Sequence, residues 1–132
     1  MKDIFIRIKA IVKQDDKFLV LEHWMDDCIV EPYIWEFVDF DLEKGESPVQ
    51  ATHRGVYDAI GMDVEQLRPL YTWSQMIGEM QCIGIAYLCE LTGDGSSLVL
   101  SDEYSNHKWI EKEELSTYIQ NKNMLRDLQD NL

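Results

Sequence analysis

WEFVDFDLEKGESPVQATHRGVYDAIGM, residues 35–62, holds the signals on which the reading of this chain turns. Trp35 to Phe40 has the composition of a strand, and Ser47-Pro48-Val49-Gln50 then supplies several helix-start signals together. Ser47 suits the N-cap, Pro48 the first helical position, and Gln50, three residues on, the reciprocal half of a capping box. Gly61 suits the left-handed residue that ends a helix. A helix from about Pro48 to Ile60 is expected, entered through a segment carrying Asp39, Asp41, Glu43 and Glu46.

On the amino-terminal side, Ile4 to Val12 and Lys17 to Glu22 read as two strands joined at the polar turn Gln14-Asp15-Asp16. Trp24 to Tyr33 reads as an irregular connection. Beyond the helix, Leu67 to Trp73 and Glu79 to Leu91 read as strands separated by a Ser/Gly-containing turn. Shorter strands are expected around Leu98 to Leu100 and His107 to Ile110. Lys112 to Leu132 carries apolar residues near a 3.6-residue period and reads as helix with a break near Asn121-Lys122-Asn123. One central and one terminal helix among strands suit a mixed sheet between helices.

With 132 residues and no linker or repeat, the chain is expected to form one domain, 1–132. A hydrophobic content of 45% excludes disorder as the main state. The longest apolar run, Cys82 to Cys89, fits a buried strand and is too short for a membrane span. The alternation at the amino terminus differs from a signal peptide, so a cytoplasmic location is expected. Cys28, Cys82 and Cys89 lack zinc spacing and read as free thiols. A formal charge of -13 disfavours long nucleic acid, whose binding draws on phosphate neutralisation by Lys and Arg.

The stretch from Trp35 to Met62 resembles the box of the Nudix (MutT-like) hydrolases. That box runs Gly, five residues, Glu, seven residues, then Arg-Glu-aliphatic-x-Glu-Glu-x-Gly-aliphatic. Glu46, Arg54, Val56, Gly61 and Met62 stand on their places without insertion or deletion. Trp35-Glu36 stands where the family has Trp-Glu, Glu43, Gly45 and Glu46 supply its Glu-x-Gly-Glu, and Glu103 to Leu115 resembles its late segment. The resemblance spans essentially the whole chain and implies a Nudix-type α/β/α sandwich with a mixed β-sheet. The chain departs from the pattern where the family's chemistry resides: the opening Gly is Phe40, and the three helix glutamates are Gly55, Asp58 and Ala59.

In the family those glutamates, at i, i+3 and i+4, share one helix face and hold Mg2+ against a diphosphate. The metal offsets developing charge and activates water. One carboxylate of three remains, shortened by a methylene. Losing one well-placed electrostatic group costs on the order of a hundred- to a thousandfold in rate. The expectation is therefore a degenerate Nudix-family protein that binds a small phosphorylated molecule, a nucleoside diphosphate derivative, with weak or absent pyrophosphohydrolase activity.

Two alternatives stay open. In one, an active hydrolase has moved its Mg2+ or Mn2+ to Asp39, Asp41, Glu46 and Asp58, with Glu46, Asp58 and Glu103 catalytic and Glu36, Glu43 and Arg54 helping to hold the ligand. Asp39 and Asp41 would share a face in an extended segment, with Asp58 nearby; the competing reading is a solvated acidic loop. In the other, the chain is a homodimeric or partner-binding module. Glu46 and Arg54 also suit a structural ion pair. Gly55 in mid-helix costs roughly 1 kcal/mol relative to Ala and suggests either close approach by a ligand or another chain, or drift. His23, His53 and His107 are scattered, with His53 next to Arg54 on the box helix. Trp24, Tyr33, Trp35, Phe37 and Tyr71 suit base stacking or the core, with the core expected for Trp35 and Phe37.

Overall fold

The structure is a computed structural model, and it describes residues 3–23 and 35–132. The expected irregular connection at Trp24 to Tyr33, and Cys28 with it, lies outside the described residues.

Strands β1 (Ile4–Gln14) and β2 (Lys17–His23) form a tight hairpin in which Asp15 and Asp16 both take positive φ, 51° and 67°. Such a two-residue turn matches the right-handed twist of its strands. The two strands pair only next to the turn, at Lys13–Phe18 and Gln14–Lys17, and then part. Strand β3 (Trp35–Glu36) joins β2 and strand β4 (Val38–Asp41) joins β1, so the single strand expected from Trp35 to Phe40 is divided at Phe37 between two partners.

Helix α1 (Pro48–Ile60) has the limits that its caps dictate. Ser47 Oγ accepts from Gln50 N at 3.2 Å and Gln50 Oε1 accepts from Ser47 N at 2.9 Å. Gly61, at φ 68°, donates its N–H to Tyr57 O at 2.8 Å. Thr52 is buried with its hydroxyl satisfied, donating to Pro48 O and accepting from Gln66 Nε2.

Strand β5 (Val64–Ile77) pairs antiparallel with β6 (Met80–Leu91), and β6 runs parallel to β1. Pro69, which has no N–H to donate, falls where the β5 register shifts. Strand β7 (Tyr104–Glu111) completes the mixed sheet along β2. The strand expected at Leu98 to Leu100 is absent. There Val99 N donates to Ile60 O and Ser101 N to Ala59 O, both at 2.9 Å. These amides satisfy carbonyls that the end of α1 leaves free, in place of a neighbouring strand.

The terminal helical segment breaks as expected. A 3-10 turn, Lys112–Glu114, leads into α2 (Leu115–Tyr118); after Ile119 the chain restarts as α3 (Lys122–Asn131), capped by Asn121. Two apolar layers flank the sheet. Val56, Ala59 and Ile60 of α1 pack with Ala10, Val12, Leu21 and Val38 on one face. Leu115, Ile119 and Leu128 pack with Ile11, Val20 and Phe37 on the other. Each fully buried aliphatic side chain contributes about 1.5–3 kcal/mol, which holds both helical layers to the sheet.

Candidate functional site

Alternation along β1 and β4 decides which side chains meet. Ile8, Ala10, Val38 and Phe40 face α1, while Arg7, Lys9, Asp39 and Asp41 face α3. The two faces hold different constructions.

On the α1 face, Arg54 is committed to the loop that precedes its own helix. Its Nε lies 2.7 Å from Glu46 Oε2, and its Nη2 lies 3.0 Å from Glu46 Oε1 and 2.8 Å from Asp41 O. Glu46 Oε1 also accepts from Glu43 N at 3.0 Å. The hydrogen bonds from Arg54 and the Glu43 amide hold the Glu46 carboxyl below the usual carboxylate range. Glu43 and Asp58 stand farther from Arg54, each at 3.8 Å. Glu46 and Arg54 are thus brought together as a loop lock.

The place of the first helix glutamate is filled from the sheet. A Cβ on Gly55 would collide with the ring of Phe40, which lies directly over it, and the Arg54 guanidinium is 5.8 Å from the centre of that ring. Ala59, at the third glutamate's place, is buried in the core cluster. Asp58 is exposed and is the single carboxylate left on this part of α1. These residues do not fit a divalent cation held on the helix: two of the three ligands are missing, and an aromatic ring occupies the space where one would project.

The relocated set is not assembled either. Asp39 and Asp41 do share a face, as alternation requires, but it is the face away from α1. There both pair with Arg7, at 3.0 and 2.7 Å, while Asp58 and Glu46 lie with Arg54. Among the described residues no group of three or more His, Cys, Asp or Glu is arranged to hold a metal ion. Glu36 is tied to His23, Nε2 to Oε1 2.9 Å, and that bond raises the His23 pKa. Glu103 is an exposed residue beside Tyr104, whose ring lies 4.9 Å from that of His23. His53 bonds Asp63 at 2.5 Å and holds that carboxyl below its usual range. Phe37 is fully buried in the core on the α3 side, whereas Trp35 is half-buried and packs against that core, edge-on to Tyr118.

The α3 face opens into a cavity of about 310 Å³. Two registered rows of residues cross four strands there: Asp41, Arg7, Gly84 and Trp73 in one, Asp39, Lys9, Ala86 and Tyr71 in the next. The small residues Gly84 and Ala86 leave the floor low, and the Trp73 ring lies over Gly84 as one wall. Lys9 is 5% exposed, with its ammonium 5.3 Å from the centre of the Trp73 ring. The Tyr71 hydroxyl is buried without a hydrogen-bond partner among the described residues, and burial pushes its pKa well above the ordinary value. Burial also raises Asp39, helped by the charge of Glu36 and opposed by Lys9 and Arg7. A concave site with buried charges is the kind of place where ligands bind.

Among the residues lining this cleft, Asp39 and Tyr71 are the ones that stood out in the sequence as site candidates. Arg7 and Lys9 carry a weaker signal: they fall in phase with Ile11, a core position, so alternation points two cations inward.

No protein-family model and no curated protein matches this sequence. Solved structures do. The chain superposes on the MutT protein from Methanosarcina mazei Go1 with a TM-score of 0.78 at 17% identity, covering 98% of this chain and 96% of that one. A NUDIX hydrolase from Nitrosomonas europaea gives 0.75 at 16%, covering 96% and 86%. An Ap4A hydrolase from C. elegans, solved as a binary complex, gives 0.72 at 18%, covering 96% and 92%. At such identities the likeness is one of architecture, and the chain has the Nudix-type α/β/α fold.

Proposed function

We propose that this is a degenerate Nudix-fold protein that binds a small phosphorylated ligand, a nucleoside diphosphate derivative, and hydrolyses it weakly or not at all. The observation that carries the reading is the Phe40 ring seated over Gly55, in the space that a metal-holding side chain on α1 would need. With Arg54 and Glu46 locked together, Asp58 stands alone against a task that takes fixed charge at several points. Binding is supported by the separate cleft on the α3 face, whose lining holds the cations of Arg7 and Lys9 within a concave wall. The fold is shared with a protein named for hydrolysis of Ap4A, itself a phosphorylated nucleoside compound.

A panel of nucleoside diphosphate derivatives, assayed with Mg2+ and with Mn2+ for both thermal shift and phosphate release, tests this. Stabilisation without turnover is expected; a ligand at a hundred times its Kd adds about 2.7 kcal/mol. Brisk turnover that disappears in Asp58→Ala would overturn the reading.

A further inference from the structure

We propose that the half of the sheet left open beside α1 is a docking face for an amphipathic helix of a partner protein, one whose apolar stripe is flanked by lysine or arginine. This face lies on the opposite side of the sheet from the cleft, and the inference stands apart from the function proposed above.

Strand register identifies the face. Ile4 and Ile6 of β1 alternate in phase with Ala10, which belongs to the α1 layer. Ile6 pairs with Ile83 and Ile8 with Ile85 on β6; these pair in turn with Ser74 and Thr72 on β5, and Met76 lies opposite Gln81. The α1 layer takes in only the other half of these strands, at Ala10, Val12, Val64, Cys89 and Leu91. Ile4 and Met76 are 46% and 63% exposed, and Ile6, Ile83 and Ile85 are half-buried yet belong to neither apolar layer. A sheet buries its apolar face against another element, and a contiguous apolar face left open marks an interaction site.

Width and charge select the occupant. Strands β5, β6 and β1 at about 4.8 Å spacing span about 10 Å, the breadth of one α-helix, so a helix laid next to α1 would complete its layer. Among the described residues, those of the three strands that share this half-face carry no charge. The borders are acidic: exposed Asp3 and Glu79 adjoin Ile4 and Met80 in the chain, and exposed Glu43 follows Leu42, whose N–H donates to Ile6 O at 2.8 Å. Lys44 offsets one of these carboxylates, in a chain with a net charge of -13. A second copy would bring the same carboxylates and the same net charge against them, whereas a helix with basic flanks meets them with opposite charge.

A synthetic helical peptide of leucine and lysine, patterned with one apolar face, serves as the probe and is titrated against the intact protein by fluorescence anisotropy. It is expected to bind, while a leucine and glutamate counterpart and a scrambled peptide of the same leucine and lysine content are not. Met76→Lys, at an exposed position, and Ile83→Thr, which keeps a β-branched residue in the strand, are each expected to weaken binding about tenfold. Glu79→Lys is expected to weaken it several-fold. Failure of the patterned peptide to bind, equal binding of the scrambled one, or an affinity unchanged in both Met76→Lys and Ile83→Thr overturns the inference. So does a dimer in sedimentation equilibrium that Met76→Lys abolishes, which would give the face to a second copy.

Discussion

Gly55 and Gly84 each lie under an aromatic ring, on opposite sides of the sheet, and the same device has opposite results. Phe40 covers Gly55 of α1 and closes the box region; Trp73 covers Gly84 of β6 and becomes the wall of a cleft. What differs is the surroundings. Around Phe40 stand Arg54, already bonded to Glu46, and the core residue Ala59, which leave nothing to open onto. Around Trp73 stand Ala86, Lys9 and the Tyr71 ring. An aromatic ring over a glycine therefore says only that two chain segments approach closely; whether it seals a site or builds one depends on what its edges meet.

The contrast can be broken by substitution. Gly84→Val should have the largest effect, because the cross-strand Trp73 has nowhere to go without leaving the cleft. Overpacking of this kind costs up to about 3 kcal/mol, and both urea stability and cleft binding should fall together. Unchanged binding would show that Trp73 is no wall. Phe40→Ala should cost about 2 kcal/mol by emptying a half-buried site, while leaving ligand affinity alone; a parallel loss of affinity would mean that the two faces are coupled.

A smaller effect, with a change of sign, is expected for Gly55→Ala. In the native chain the new methyl meets the Phe40 ring and should destabilise by about 1 kcal/mol, the collision outweighing the better helix propensity. In a Phe40→Ala background the collision is gone and the same change should stabilise by about 1 kcal/mol. A double-mutant cycle with no coupling would refute the packing described for this joint.

The smallest expected effect concerns the pair at the edge of the α1 face. The hydrogen bond to Glu36 raises the His23 pKa above its ordinary 6.5, so the folded state holds this proton more firmly than the unfolded chain. The stabilisation is complete below the unfolded value and is lost as pH rises through the folded one. His23→Gln should remove that decline from a pH series of urea unfolding curves; a series identical to the native one would discount the pair.

Much of the architecture was legible because its causes are local. Ser47, Gln50 and Gly61 bound α1 through bonds that span three or four residues, and both limits follow from them. The Phe40–Gly55 contact joins positions brought together only by folding, so a reading along the chain registers two odd residues and not their fit. Alternation correctly put Asp39 and Asp41 on one face but does not say which helix that face meets, and the imagined partnership with Asp58 failed there. At Leu98 to Leu100 a strand was expected, but the amides of Val99 and Ser101 bond the end of α1 and no strand forms, a partnership that alternation along the chain does not reveal.

The seating of Phe40 on Gly55 also sets the terms on which an acidic side chain could be placed on this helix. A carboxylate introduced at 55 alone strikes the ring, and a glycine introduced at 40 alone leaves a hole, so each single change begins from a weakened protein. The two positions behave as a latch, which opens only when both halves move together.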